Sequence, residues 1–383
     1  MKRTTRLAPA PFPHVEPDPF LLAQLREIEG VSAIEAVDAR PHLIRFDRAE
    51  KTWLMRGLPG DQTVDQVRRR HRFLADGSAH GLVPAPFTGK AAGEVAGGLY
   101  EIVGLVPGRP WMHNNRLMLA GHSLHRPLPP GAGSLAALAA HVAALHSASE
   151  DMVRSGLPVI DLAEFQREKR REWTELRDRI RDSRVQTVHI GRWLSASERV
   201  VFASRDVLAS VDFFRESPLV VIHGDLWPTH VVESAQGVRL VDWNCAHVSS
   251  PLIDVAQMIG RFAGWGAATF EEVVESYNAV RPLTAEERRL LPVFGAIDLA
   301  LETGYLLAEA YIADIDQTSL YAEAARSGAG QMLTSLESIG WSIRKTNQDS
   351  RDIRREARDR ARALREPGRK PRPKSLSSRR PKQ

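Results

Sequence analysis

The sequence predicts an α+β chain in two lobes, a small strand-rich one followed by a larger, mainly helical one. Three observations predict it. Short strand-like runs cluster before residue 106, the Pro/Gly break "PGRPW" interrupts the chain at 107–111, and helix-like stretches dominate beyond it. At 383 residues with 43% apolar content, the chain is long enough for two such units and a sizeable core. The expected division is a leader over 1–17, an N-lobe over 18–106, a helical C-lobe over 107–343 and a basic tail over 344–383.

After the Pro-rich leader, "PDPFLLAQLREIEG" is an acid-capped, apolar-periodic stretch that predicts a helix closed at Gly30. Three strand-like runs follow, "SAIEAV", "HLIRF" and "TWLMR", with "DRAEK" as the turn between the last two. "DQTVDQVRRRHRFLADGSAHG" predicts a charged helix closed by Gly81, and "GLYEIVGLV" a strand running into the break. Beyond it, helices are expected over 134–149, 162–184 and 195–214, then from "SPLIDVAQMIGRF" to "QMLTSLESIGWSIRK". Two short apolar strands, ending in "IHGD" and "LVDW", interrupt the helical lobe as a two-strand ribbon.

Composition excludes several classes of function. Cys245 is the single cysteine, so neither an intramolecular disulfide nor a cysteine-based zinc site is expected. "MKRTTRLAPAPFPHVEP" carries basic residues with no apolar segment behind them, so no secretory signal is expected. No uninterrupted apolar run approaches the ~18 residues of a membrane span. A cytoplasmic location with no membrane partner is the expectation. The net charge of +5 is unevenly spread. Residues 344–383 hold 16 Lys/Arg against 5 Asp/Glu, leaving 36 basic and 42 acidic groups elsewhere. The tail, too poor in apolar residues to fold alone, is expected to be disordered and to suit an acidic partner. The rest offers no basic surface for a nucleic-acid role.

Asp225 and Asp242 stand at the ends of the two short apolar strands, where a carboxylate is costly to bury. Phosphoryl transfer asks for such a pair. One carboxylate orients the attacking hydroxyl and accepts its proton, and others hold Mg²⁺ against the phosphates. The bland alternative is a pair of structural turn aspartates.

At "HGDLWPTH", "VDW" and "SSPLIDVA" the chain resembles the aminoglycoside phosphotransferase and choline kinase-like family, a branch of the protein-kinase-like fold. That resemblance implies Asp225 as catalytic base, His223 as brace of its loop, Asp242 as metal ligand and Asp254 as a tie to the next helix. It also places Arg56 of "TWLMRGLP" at the phosphates and Val103, Gly104 and Leu105 against the adenine, making the N-lobe nucleotide-binding. "LAAHVAALHS" resembles a family helix that often ends in Leu-His.

The chain departs from the family pattern in three ways. His230 stands where a metal-binding Asn is expected, either as a ligand or as a packed loop residue. Imidazole there makes Mn²⁺ the alternative to Mg²⁺. The helix "VDQVRRRHRFLADG" has no Glu to pair with Arg56; Asp65, or a Glu elsewhere, is the stand-in. The turn "VDARPH" has no glycine, hence no Gly-rich phosphate loop.

Asp298, Glu302, Tyr305 and Glu309 recur at i, i+4, i+7 and i+11 of an otherwise apolar helix, so the stripe faces either water or a cleft. Trp227 and Trp243 flank the motif, by default as core aromatics, with stacking on a substrate as the other reading. The expected function is ATP-dependent transfer of the γ-phosphoryl group to a hydroxyl of a small, cationic or aminoglycoside-like metabolite. The alternatives are a Ser/Thr kinase acting on a peptide and a catalytically degenerate kinase-like binding protein.

Overall fold

The structure is a computed structural model. It describes residues 16–37, 40–58, 62–79, 81, 83, 92–95, 98–111, 135–152, 156–208, 218–263, 265–313, 322, 325–340 and 342–343. The tail 344–383 and most of the leader lie outside the described residues.

The N-terminal part opens with α1 (Pro19–Arg26), started by Asp18, whose carboxylate accepts from the Phe20 and Leu21 N–H groups, and by Pro19 in the first turn. Strands β1 (Ser32–Val37), β2 (Arg40–Arg48) and β3 (Lys51–Leu58) form a meander. α2 (Val64–Ala79) then crosses over to β4 (Ala92–Val95) and β5 (Gly98–Gly104). The resulting antiparallel sheet has the order β1-β2-β3-β5-β4, which sets β3 directly beside β5 and Arg56 opposite Glu101. Its apolar face packs Leu21 and Leu25 of α1 on Ile44, Phe46, Trp53, Met55, Tyr100 and Ile102. α2 turns the other way, and its Phe73 and Leu74 join the core of the helical part.

β6 (Arg109–Pro110) follows the Pro/Gly break and already belongs to the second part, where it pairs with β8 (Val231–Ser234). Helices α3 (Leu135–Met152), α4 (Leu162–Asp182) and α5 (Val188–Leu208) precede β7 (Val220–Ile222). After β8 come β9 (Gly237–Leu240) and β10 (His247–Ser249), then α6 (Leu252–Met258), a π-helical turn (Ile259–Ala263), α7 (Ala267–Asn278) and α8 (Ala285–Tyr311). Residues 325–340 form a further helix.

The expected ribbon takes a different form. The strands before the two aspartates do not pair with each other: β7 pairs with β10, while β9 forms a hairpin with β8, whose other edge pairs with β6. The turn "AQG" closes that hairpin through Ser234, whose hydroxyl donates to the Gly237 carbonyl. α5 also starts seven residues earlier than its apolar periodicity indicates.

α8 is the spine of the helical part. Thr284 and Glu287 close a reciprocal capping box at its start. Gly304 lets α5 approach: a Cβ there would stand 2.6 Å from the Trp193 ring, whose indole N–H donates to the Ala300 carbonyl. By length and composition α8 could cross a membrane, but 78% of its most apolar window is buried inside the protein. It is a core helix.

Candidate functional site

The loop after β7 is built around a buried carboxylate. Asp254, in the first turn of α6 and fully buried, accepts from the His223 N–H at 2.8 Å and the Gly224 N–H at 2.9 Å. His146, within α3, which continues past the Leu-His pair to Met152, donates to the same carboxylate (3.2 Å) and takes the Tyr277 hydroxyl on its other nitrogen (2.7 Å). Burial alone would raise Asp254, but His146, His223 and these amides hold it below the usual carboxylate range. Gln257, one turn on, pins the Leu226 N–H and the Gly224 carbonyl. His223 donates from Nε2 to the Val241 carbonyl (2.9 Å), bridging the two strand ends, and burial lowers its pKa from the ordinary imidazole value.

Gly224 takes φ +78°, and a Cβ there would stand 2.5 Å from the Cys245 carbonyl oxygen. Gly224→Ala is therefore expected to cost about 1–3 kcal/mol in urea denaturation and to displace the loop. An unchanged midpoint would mean that this turn is not held as the structure has it.

Asp225 and Asp242 come together through His230. Its Nδ1 donates to the Asp225 carbonyl (2.8 Å), and its Nε2 stands 3.6 Å from Asp242 Oδ2. Asp242 itself adopts the left-handed conformation (φ 65°), which aspartate tolerates better than most residues. Its other oxygen accepts from Arg56 Nη1 at 2.8 Å. Burial pushes the Asp242 carboxyl up, yet Arg56 and His230 outweigh it and hold it low.

These groups fit a divalent metal. Oδ2 of Asp242 and the free nitrogen of His230 face each other across a gap that one ion with bonds of ~2.0–2.2 Å spans. No cluster of three or more protein ligands exists among the described residues, so phosphates and water would supply the remainder.

The partner of Arg56 is Glu101, the residue directly across on β5, and not Asp65. Asp65 is an exposed residue that pairs with Arg68. Glu101 is fully buried and accepts from Arg56 Nε (2.6 Å), from Arg70 Nη2 (2.7 Å) and from His71 Nε2 (3.2 Å). α2 thus contributes a guanidinium and an imidazole to this network, with the acid coming from the sheet. Burial would raise Glu101, but Arg56, His71 and Arg70 hold it far below the usual range. Arg56 Nη2 also reaches Asn244 Oδ1 (2.8 Å), so one guanidinium joins β3, β5 and the turn after β9.

Asp225 meets a second guanidinium. Arg261, in the π-helical turn and 4% exposed, donates from Nη1 to Asp225 Oδ1 (2.7 Å). Its Nε and Nη2 grip Asp298 (2.9 and 2.5 Å), and Nη2 also reaches Glu302 (3.0 Å). The Trp227 ring lies 4.5 Å beneath it. Burial pushes Glu302 up to about 7; Arg261 opposes the shift, and Asp298 and Asp225 add to it.

The acidic stripe of α8 divides: Asp298 is held by Arg261, and the later members border a cleft, with Glu309 exposed at its rim. Glu302, Tyr305 and Glu309 line a pocket of about 600 Å³ with Trp227 and Arg179. Tyr305 donates to Glu172 of α4. Trp243 is core, with its ring 4.7 Å from His223 and 5.4 Å from Phe73. Val103 and Gly104 end β5, paired with Leu54 and Trp53, and the Leu105 N–H is committed to the Thr52 carbonyl (3.1 Å). Cys245 lies by both aspartates; burial and their charge push its thiol up to about 11, so it stays protonated.

Residues 43–292 match the family model described as the APH phosphotransferase enzyme family. No curated protein matches the chain by sequence. Among solved structures, an aminoglycoside phosphotransferase from Alicyclobacillus acidocaldarius superposes with a TM-score of 0.54 at 14% identity, covering 84% of this chain and 94% of its own. A protein from Ralstonia eutropha described as a putative aminoglycoside phosphotransferase gives 0.53 at 16%, covering 84% and 97%. An amicoumacin kinase in complex with AMP-PNP, Ca²⁺ and its ligand gives 0.53 at 13%, covering 85% and 90%. At these identities the likeness is one of fold: the protein-kinase-like two-lobed architecture.

Proposed function

The chain belongs to the APH phosphotransferase enzyme family, and on that premise we propose that it transfers the γ-phosphoryl group of ATP to a hydroxyl of a small, cationic metabolite. The observation that carries this reading is His230, which donates to the Asp225 main-chain carbonyl and stands 3.6 Å from the Asp242 carboxylate, with Arg56 on the far side of Asp242. Asp225 accepts the acceptor's hydroxyl proton and orients its oxygen, while His223 and Asp254 fix the loop that carries it. Arg56, oriented by Glu101 and Asp242, would be the cation that neutralises phosphate charge. Asp242 and His230 would hold a divalent metal, which would supply further charge neutralisation on the phosphates. Catalysis is then mostly positioning and electrostatics.

The acceptor would enter beside Trp227, where Glu309, and Glu302 once ionised, outnumber Arg179 and favour a cationic group. Of the alternatives named above, one has an observation in its favour. Both aspartates are already held by guanidiniums, Asp225 by Arg261 and Asp242 by Arg56, as a degenerate binding protein would leave them.

Calorimetry with AMP-PNP in Mg²⁺, in Mn²⁺ and in chelator tests the metal assignment. Binding is expected to need metal and to be tighter with Mn²⁺, because imidazole is a softer ligand than the amide oxygen of Asn. His230→Asn should move the preference towards Mg²⁺. The same preference in both proteins makes His230 a loop residue, and metal-independent binding removes the site altogether.

A further inference from the structure

We propose that Arg261 is a positioning residue that fixes the Asp225 carboxylate and ties it to the acids of the acceptor pocket. The inference rests on the reading of Asp225 as the base.

Arg261 is the one cation bonded to Asp225 among the described contacts, and its own position is fully determined. Its guanidinium is gripped by Asp298 through two nitrogens, touched by Glu302, and backed by the Trp227 ring. Such a planar fork cannot rotate without breaking several charge-assisted bonds at once. The backbone beneath it is unusual too. Arg261 sits in a π-helical turn inserted after α6, the helix whose Asp254 and Gln257 hold the Asp225 loop from below. One inserted turn thus aims a guanidinium at the same loop from the side. π-helical insertions of this kind recur at functional sites.

The geometry leaves Asp225 able to act. Arg261 occupies Oδ1, and no other bond to either side-chain oxygen of Asp225 is found among the described residues, so Oδ2 is available to a hydroxyl. The charge count points the same way: one guanidinium faces three carboxylates. Asp225 is therefore fixed without being fully neutralised, because Arg261 is shared with Asp298 and Glu302. A simple structural ion pair would match charges one to one.

The test uses the full chain and Arg261→Lys, Arg261→Gln, Asp225→Asn and the Gln/Asn double variant. Urea denaturation comes first. If the pair is coupled, Asp225→Asn costs clearly less in the Arg261→Gln background than in wild type; additive losses overturn the link. Slow ATP hydrolysis to water, with Mn²⁺ present, is the second readout, alongside AMP-PNP affinity by calorimetry. Arg261→Gln is expected to lower kcat by ~10–10²-fold at unchanged nucleotide affinity, with partial recovery in Arg261→Lys. Unchanged kcat, or loss of kcat and affinity together, overturns the positioning role. A wild-type protein without ATP turnover would count against the phosphotransferase reading instead, and the denaturation cycle would still decide whether Arg261 and Asp225 are linked.

Discussion

Asp225→Asn is expected to lower turnover by ~10²–10⁴-fold, the usual range for a positioned acid–base group. The substitution isolates the chemistry because it preserves the shape. The amide oxygen can still accept from Arg261 Nη1, and the Asp225 carbonyl that holds His230 is untouched. What disappears is the group able to take a proton from the acceptor hydroxyl. Nucleotide affinity should stay within a few-fold, since Arg56 and Asp242 lie on the other side of His230. Turnover close to wild type would remove Asp225 from the mechanism, and collapse of nucleotide affinity would show that the residue is structural.

Glu101→Ala is expected to destabilise the protein by roughly 3–5 kcal/mol, the range for removing one partner of a buried ion pair. Arg70 is 4% exposed, so its guanidinium cannot turn to water when the carboxylate goes, while Arg56 keeps Asp242 and Asn244. Glu101→Gln keeps one acceptor oxygen and should cost less. The sign with pH follows from the depressed carboxyl. Glu101's share is present above its ordinary value of 4.5 and is lost as pH falls from there through the lower folded value. The Ala variant should therefore be less acid-sensitive than wild type over that window. A loss below about 1 kcal/mol would mean that the two arginines find other partners.

Much of this site is legible in the sequence because it is local. "HGD", "VDW" and the downstream Asp254 fall within about thirty residues, and each does something that a short motif can encode: a left-handed turn, a strand end, a helix first turn. The structure brings Asp225, Asp242, His223, His230 and Asp254 together, and Asp298 and Glu302 prove to be linked to them by Arg261. What was not legible is pairing across the fold. Glu101 acts through its register with Arg56, and register depends on strand order, which helix α2 interrupts. An acid inside "GLYEIVGLV" was the available signal: a buried strand carries a carboxylate only with a partner. Arg261 left a similar trace, a lone cation in "PLIDVAQMIGRF", but no periodicity announces a π-helical turn. The misread ribbon has the same origin. Four-residue strands joined by "AQG" carry too few alternations to separate β8 and β9 from the loops around them.

Phosphorus NMR of the protein with ATP, Mn²⁺ or Mg²⁺ and a set of small hydroxylated amines tests the central claim most directly. The account predicts ADP together with a new phosphomonoester resonance for at least one acceptor, absent with Asp225→Asn. Metal-dependent nucleotide binding with neither ADP nor a new resonance, for any acceptor or for water, would contradict it and leave a kinase-like binding protein.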